Sequence, residues 1–130
     1  MNCPSPTVLD SCVCGNSGYD SIVYIDCHSL SLDDAAMGTI LTEILYDTTT
    51  SPTSRLDLSY NPLTFVPEEI RLFKKLKYVD LSSSLIDTVP TGSFDFAPSP
   101  TIPILIYLSF NPLSNVENGA FKGLYDLSFN

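Results

Sequence analysis

Three stretches of this chain carry apolar residues at the same four places. They are Leu56, Leu58, Leu63 and Val66, then Val79, Leu81, Ile86 and Val89, then Ile106, Leu108, Leu113 and Val116. The spacing inside each copy is identical, and the second gap between copies is slightly longer than the first. A repeat of this length holds one strand and a return segment, a unit that cannot bury its apolar face alone. Successive units must stack, so the expected fold is an α/β repeat solenoid with a parallel sheet running through its turns.

Within each copy the first two apolar residues are two apart, which sends both side chains to one face of a strand. Their neighbours face the other way. Asp26, Asp57, Asp80 and Tyr107 form one outward column, and Tyr24, Arg55, Tyr78 and Leu105 a second. Ser59, Ser82 and Ser109 form a third. Asn61 and Asn111 stand where the strand must turn, and a short amide bonds well to turning backbone. Pro62 and Pro112 fix the bend that follows. Ser84 occupies that place in the second copy, so the ladder of turn amides is expected to weaken there.

The cysteines are Cys3, Cys12, Cys14 and Cys27, and none occurs after the last of these. An even cluster of this kind reads as a disulfide-pinned unit from an oxidising compartment. Structural zinc is the rival chemistry. Its pairs favour two to four intervening residues, whereas Cys12-Val13-Cys14 leaves one, which favours disulfides. Ile25-Asp26-Cys27 has the pattern of Leu56-Asp57-Leu58, so a strand is expected there with Cys27 inward and Leu32 in the place of Leu63.

Met37, Ile40, Leu41, Ile44 and Leu45 then follow helical spacing. A helix is expected from about 33 to 46, opened by a capping box of Ser31 and Asp34. Gly38 weakens it by about 1 kcal/mol. A polar loop over 47–54 returns the chain to the first regular strand. After Val66, the spacing of Ile70, Phe73 and Leu76 suits a short helical turn. After Val89, Phe94 takes the place of Ile70, and Pro98, Pro100 and Pro103 make the crossing over 97–103 extended. Phe121 is expected inward in the crossing after that.

Over roughly the last 80 residues these features resemble leucine-rich repeat proteins. Cys3-Pro4, Cys12-Val13-Cys14 and Cys27 resemble the N-terminal cysteine cap of the extracellular members. The resemblance implies a horseshoe segment with its parallel sheet on the concave face. It also implies that the first cysteine pairs with the third and the second with the fourth, giving Cys3–Cys14 and Cys12–Cys27. The helix-bearing first turn is similar in layout to secreted arthropod leucine-rich repeat proteins, a group that includes the non-catalytic subunit of a shrimp luciferase. Three parts follow: a cap over 1–28, an irregular first repeat over 29–54, and about three repeats over 55–130, the last incomplete.

Leu127-Ser128-Phe129-Asn130 repeats Leu108-Ser109-Phe110-Asn111 sooner than the earlier copies repeat one another. The crossing between them is about five residues too short. The expectation is a fragment or a shortened solenoid, with an uncapped apolar end at Leu124, Leu127 and Phe129 that favours self-association.

Acidic residues outnumber basic ones 15 to 6, for a net charge of −9. That argues against nucleic acid and anionic membrane surfaces, which require Lys and Arg. No segment reaches the roughly 18 apolar residues of a membrane span. The start lacks the apolar core and basic flank of a signal peptide, so secretion or cell-surface display needs a leader outside this chain. No Asn-x-Ser/Thr acceptor occurs.

No cofactor is implied and catalysis is not expected. His28, the single histidine, has no evident partner, and no serine sits on a nucleophile elbow. A calcium site on Asp26, Asp57 and Asp80 falls short of the six or more oxygens calcium takes. The better candidates are on the concave face: Arg55, Asp57, Ser59, Tyr78, Asp80, Ser82, Leu105, Tyr107 and Ser109. Tyr and Arg are favoured at interface hot spots. The sequence points to a non-enzymatic, secreted or cell-surface module whose partner is another protein. The alternative is a non-catalytic scaffold subunit that stabilises a secreted enzyme, as the arthropod layout implies.

Overall fold

The repeat spacing is realised as strands stacked edge to edge. The computed structural model describes residues 3–4, 11–16, 23–47, 53–94 and 104–121, together with the backbone of 127–129. In chain order the elements are β1 (Val13–Asn16), β2 (Val23–Asp26), α1 (Asp34–Tyr46), β3 (Thr53–Asp57) and a 3-10 turn (Glu68–Leu72). Then come β4 (Tyr78–Asp80), β5 (Thr88–Val89), β6 (Ile104–Tyr107), β7 (Asn115–Val116) and β8 (Leu127–Phe129). The larger sheet runs β1-β2-β3-β4-β6-β8. All its pairings are parallel except β1 with β2. A second, two-stranded parallel sheet joins β5 to β7.

Register carries the repeat. Ile25, Leu56, Val79 and Ile106 are successive partners across the sheet, and none is more than 1% exposed. Cys27, Leu58, Leu81 and Leu108 continue the core two residues on. Each such side chain contributes about 1.5–3 kcal/mol by leaving water. The return segments close the other side. α1 buries Met37, Ile40, Leu41 and Ile44, and Ile70, Phe73, Leu76 and Phe94 are buried as their spacing predicts. Phe121 is half-buried and stacks on Phe94 with centroids 5.5 Å apart, while Ala120 takes the deep position. The proline-rich crossing over 97–103 lies outside the described residues.

At the front, Cys3 pairs with Cys14 and Cys12 with Cys27, the connectivity the resemblance implies. With no thiol left free, zinc has no thiolate to bind. Closing a loop of about 15 residues stabilises by about 3 kcal/mol in the chain-entropy account. β1 was not legible in the sequence: its partner is β2, and an antiparallel pair inside the cap leaves no repeat to read.

The turn amides bond to the backbone of their own turn and of the one before. The Asn61 amide nitrogen donates to the carbonyls of Cys27, Leu58 and Ser59 at 2.8, 3.0 and 3.1 Å. Its oxygen accepts from the Leu30 and Leu32 N–H groups. Asn111 repeats this, donating to Leu81, Leu108 and Ser109 and accepting from Ser84 and Ile86. Each amide ties its own turn to the preceding one. Ser84 is 7% exposed, and among the described residues its hydroxyl finds no partner.

Three expectations change. The cap of α1 is Asp33, whose carboxylate accepts the Ala36 N–H at 2.8 Å. Ser31 is left-handed (φ 56°) and outside the helix, while Asp34 accepts from the Thr64 N–H and hydroxyl and from Phe65 N–H, fastening the helix start to the next turn. Leu113 and Val116 are 38% and 49% exposed rather than core. They are the last described members of their columns, with Val89 the strand partner of Val116 on one side. Finally, β8 pairs Leu127 with Ile104 and Phe129 with Ile106. Leu127 therefore follows Ile104 at the interval by which Val79 follows Leu56, and not at the shorter one that the likeness to Leu108-Ser109-Phe110 suggested. The two registers differ by four residues, an even slip that leaves the alternation of the strand unchanged, and the observed one gives this crossing the full length of the Leu56-to-Val79 repeat. Leu124, and the side chains of Leu127 and Phe129, lie outside the described residues.

Candidate binding face

Residues between the inward pairs leave the core side of the sheet. Tyr24, Arg55, Tyr78 and Leu105 are successive partners, and so are Asp26, Asp57, Asp80 and Tyr107. Neighbours in such a column are about 4.8 Å apart. Tyr24 and Leu105 are 42% and 39% exposed.

Three strands supply one aromatic cluster. The Arg55 guanidinium carbon lies 3.9 Å from the Tyr78 ring centroid. The Tyr78 and Tyr107 rings stand 5.1 Å apart, tilted by 54°. A cation on a ring face and a tilted ring pair are both attractive arrangements. Burial, and then the charge of Asp80, raise the Tyr78 phenol above its ordinary 10.0, against a smaller lowering by Arg55. Tyr78 is therefore a neutral hydroxyl at physiological pH.

The acidic column is held by one repeated device. The Ser59 N–H and hydroxyl both donate to Asp57 Oδ1, at 3.1 and 2.6 Å. Ser82 does the same to Asp80 Oδ1, at 2.9 and 2.5 Å. At Asp26 the residue two on is His28, whose N–H donates to Oδ1 at 3.0 Å and whose Nδ1 sits 2.5 Å from the same oxygen. An Asp side chain turning its own backbone two residues on is an Asx-type turn. The serines thus orient carboxylates. Ser59 is buried, and Ser82 and Ser109 are half-buried.

His28, expected to lack a partner, has one in Asp26. The hydrogen bond and charge of Asp26, with Asp57 behind, raise its pKa above 6.5. The sequence signal was its position: His28 stands to Asp26 as Ser59 stands to Asp57. Among the described residues no Lys or Arg lies within ion-pair distance of Asp57 or Asp80. Ligand atoms of Asp26, His28 and Asp57 lie within 4.8 Å of one another. One imidazole with two carboxylates suits a first-row divalent ion better than calcium, and an ion would have to displace the proton shared with Asp26.

A second feature was missed by sequence reasoning. Between α1 and the 3-10 turn runs a groove of about 560 Å³, lined by Gly38, Phe65, Pro67, Glu69 and Pro90 among others. Phe65 is 62% exposed. An aromatic at an outward place beside Val66 was the available signal.

Comparison with known proteins places a Leucine Rich Repeat at residues 53–73, which span β3, its turn and the 3-10 segment. Over 70 residues the chain is 42% identical to the Xenopus tropicalis protein "Leucine-rich repeat-containing G-protein coupled receptor 4". The match takes in 54% of this chain and 7% of that receptor, so the chain spans a small part of its relative's length. No solved structure matches. The chain carries a leucine-rich repeat behind a two-disulfide cap.

Proposed function

We propose that this leucine-rich repeat chain is a non-enzymatic protein-binding module, working outside the cell. Its partner lies across the face presented by β2, β3, β4 and β6, the concave face in a horseshoe arrangement. The observation that carries this is the Arg55–Tyr78–Tyr107 cluster, where residues typical of hot spots meet across three strands. Asp57, Asp80, Leu105 and Ser109 complete the contact surface, with Ser59 and Ser82 holding the two carboxylates. Repeat proteins bind on such extended faces. Two disulfides favour an oxidising compartment, and the relative's name, a receptor, agrees with a place at the cell surface.

The test compares wild type with Tyr78→Ala/Tyr107→Ala. A purified partner identified by wild-type capture should bind the double variant at least about tenfold more weakly, with the circular dichroism unchanged. Equal binding by both would sink the assignment. The scaffold-subunit alternative differs in one observation: a stable, stoichiometric complex with an enzyme whose activity decays faster without this chain.

A further inference from the structure

We infer that the groove between α1 and the 3-10 turn is a second docking site. Its occupant is an extended segment of a partner protein, with one Lys or Arg set between apolar residues. The groove lies on the return side of the core, away from the Tyr78 cluster, so this site is independent of the binding face proposed above.

A glycine that the fold does not require is the first indication. Gly38 stands inside α1, where glycine weakens a helix relative to alanine. Its backbone is not left-handed, unlike that of Gly92 and Gly119. The nearest atoms a Cβ there would meet belong to the Glu69 carboxylate, at 3.6 Å and beyond. That is an ordinary contact with the end of a flexible side chain. Neither conformation nor packing within the chain calls for glycine, and what the missing side chain leaves is open floor in the groove.

The groove follows the helix. Its first part, about 560 Å³, lies among Ala35, Gly38, Phe65 and Pro90. A second part, about 540 Å³, continues past Thr42 to Leu45 and Tyr46. Glu68, Glu69 and Arg71 line both. From Asp34 to Tyr46 the length is about 18 Å, at about 1.5 Å per residue. Phe65 at one end, and Leu72 and Tyr46 at the other, are each more than half exposed. Exposed apolar side chains gathered round one concavity mark an interaction site, as scattered ones do not. The 3-10 turn packs on α1 with Cα atoms within 8 Å, a gap too narrow for a helix about 10 Å across. An extended segment of about six residues, at about 3.4 Å each, matches the length and lowers alternate side chains into it.

Charge decides what the middle of that segment carries. The half-buried Glu69 lies with its carboxylate over Gly38. Among the described residues no Lys or Arg is within ion-pair distance of Glu68 or Glu69. Arg71 lines the groove but turns its Nε to the Glu68 backbone carbonyl, at 3.4 Å. Asp34 is taken up by Thr64 and Phe65. With Arg71 counted against Glu68, Glu69 and Asp34, the lining is still negative. An all-apolar occupant would cover Glu69 and leave its charge with neither water nor partner, which is costly. A Lys or Arg between apolar neighbours pairs with it, and its stem lies along the apolar walls.

The experiment selects a phage-displayed library of random octapeptides on the full chain at low salt. Enriched sequences should carry one Lys or Arg flanked on both sides by apolar residues. A labelled peptide of that kind, followed by fluorescence anisotropy, should bind Glu69→Gln at least about tenfold more weakly. Gly38→Leu should abolish binding by filling the groove while raising the thermal midpoint, since leucine is the better helix former. Gly38→Ala should raise the midpoint as well and weaken binding less. If Gly38→Leu lowers the midpoint, Glu69→Gln decides, and unchanged affinity there overturns the inference. It is also overturned if no enriched peptide is lost on Gly38→Leu, or if those lost lack a basic residue. If every enriched peptide is lost with Tyr78→Ala/Tyr107→Ala instead, the groove is not a site and the sheet face stands.

Discussion

At Asn61 and Asn111 an amide closes the turn and reaches into the turn before it, while at Ser84 a hydroxyl occupies the same place and bonds to nothing. The backbone scarcely registers the difference. The residue before each is left-handed: Tyr60 at φ 58°, Ser83 at 55° and Phe110 at 59°. The inward residues around all three turns stay buried until Leu113. Each amide oxygen collects two N–H groups from the turn before it, and the change at Ser84 shows in the fate of the second. Leu32 and Ile86 donate theirs to the amide of the following turn. Leu63, whose following turn offers Ser84, donates to the Asn61 carbonyl at 2.8 Å instead. Stacked strands and their cores set the shape of the turn, and the amide adds stability to a shape already chosen.

The largest effect that would test this is at Asn61, which is 2% exposed. Asn61→Ala orphans the Leu30 and Leu32 N–H groups and removes a donor from the Cys27 carbonyl. It should cost about 3–5 kcal/mol by urea denaturation. Asn111→Ala, half-buried and open to replacement by water, should cost about 2 kcal/mol. Equal losses would show that burial does not separate the two.

The converse change is smaller. Ser84→Asn installs the missing amide and should stabilise by about 1 kcal/mol, limited because Leu63 already has an acceptor. Ser84→Ala removes the unpartnered hydroxyl at little cost. If Asn at 84 destabilises while Ala does not, the site is too tight for an amide and the comparison fails on space.

The smallest effect belongs to the cap's version of the Asp-turn. His28 is raised above 6.5 by Asp26, so its contribution is fully present below that value and fades as pH rises through the folded pKa. Titration by NMR should place His28 above 6.5 in wild type and move it back towards 6.5 in Asp26→Asn. An unmoved value would assign the shift to another group.

The periodic apolar residues were readable because a repeat states its own register several times over. Asn61 and Asn111 were readable because turns need amides. β1 was not, since nothing in Val13–Asn16 announces a partner that runs the other way. The register of β8 was misread because Leu127-Ser128-Phe129 copies a nearby string, while pairing obeys distance across the sheet. Asp33 was passed over for Ser31 because a left-handed Ser31 is visible only in the folded backbone. The two outward columns could be listed from spacing alone. That Arg55 would lie on Tyr78 and His28 fold back onto Asp26 are side-chain choices the period does not encode.

The gap at Ser84 also bears on how the molecule comes apart. Asn61 staples its turn to the cap, and Asn111 staples its turn to the one that begins at Val79. Between those two pairs the described hydrogen bonds are backbone ones alone, such as Leu58 N–H to the Asp80 carbonyl and Leu85 N–H to that of Leu63, with the Arg55–Tyr78 stacking beside them. In a linear array, where each unit holds only its neighbours, the least-tied junction is where opening begins. Amide protons on either side of it should exchange with solvent as two separate cooperative groups, with the slower one carrying the disulfides.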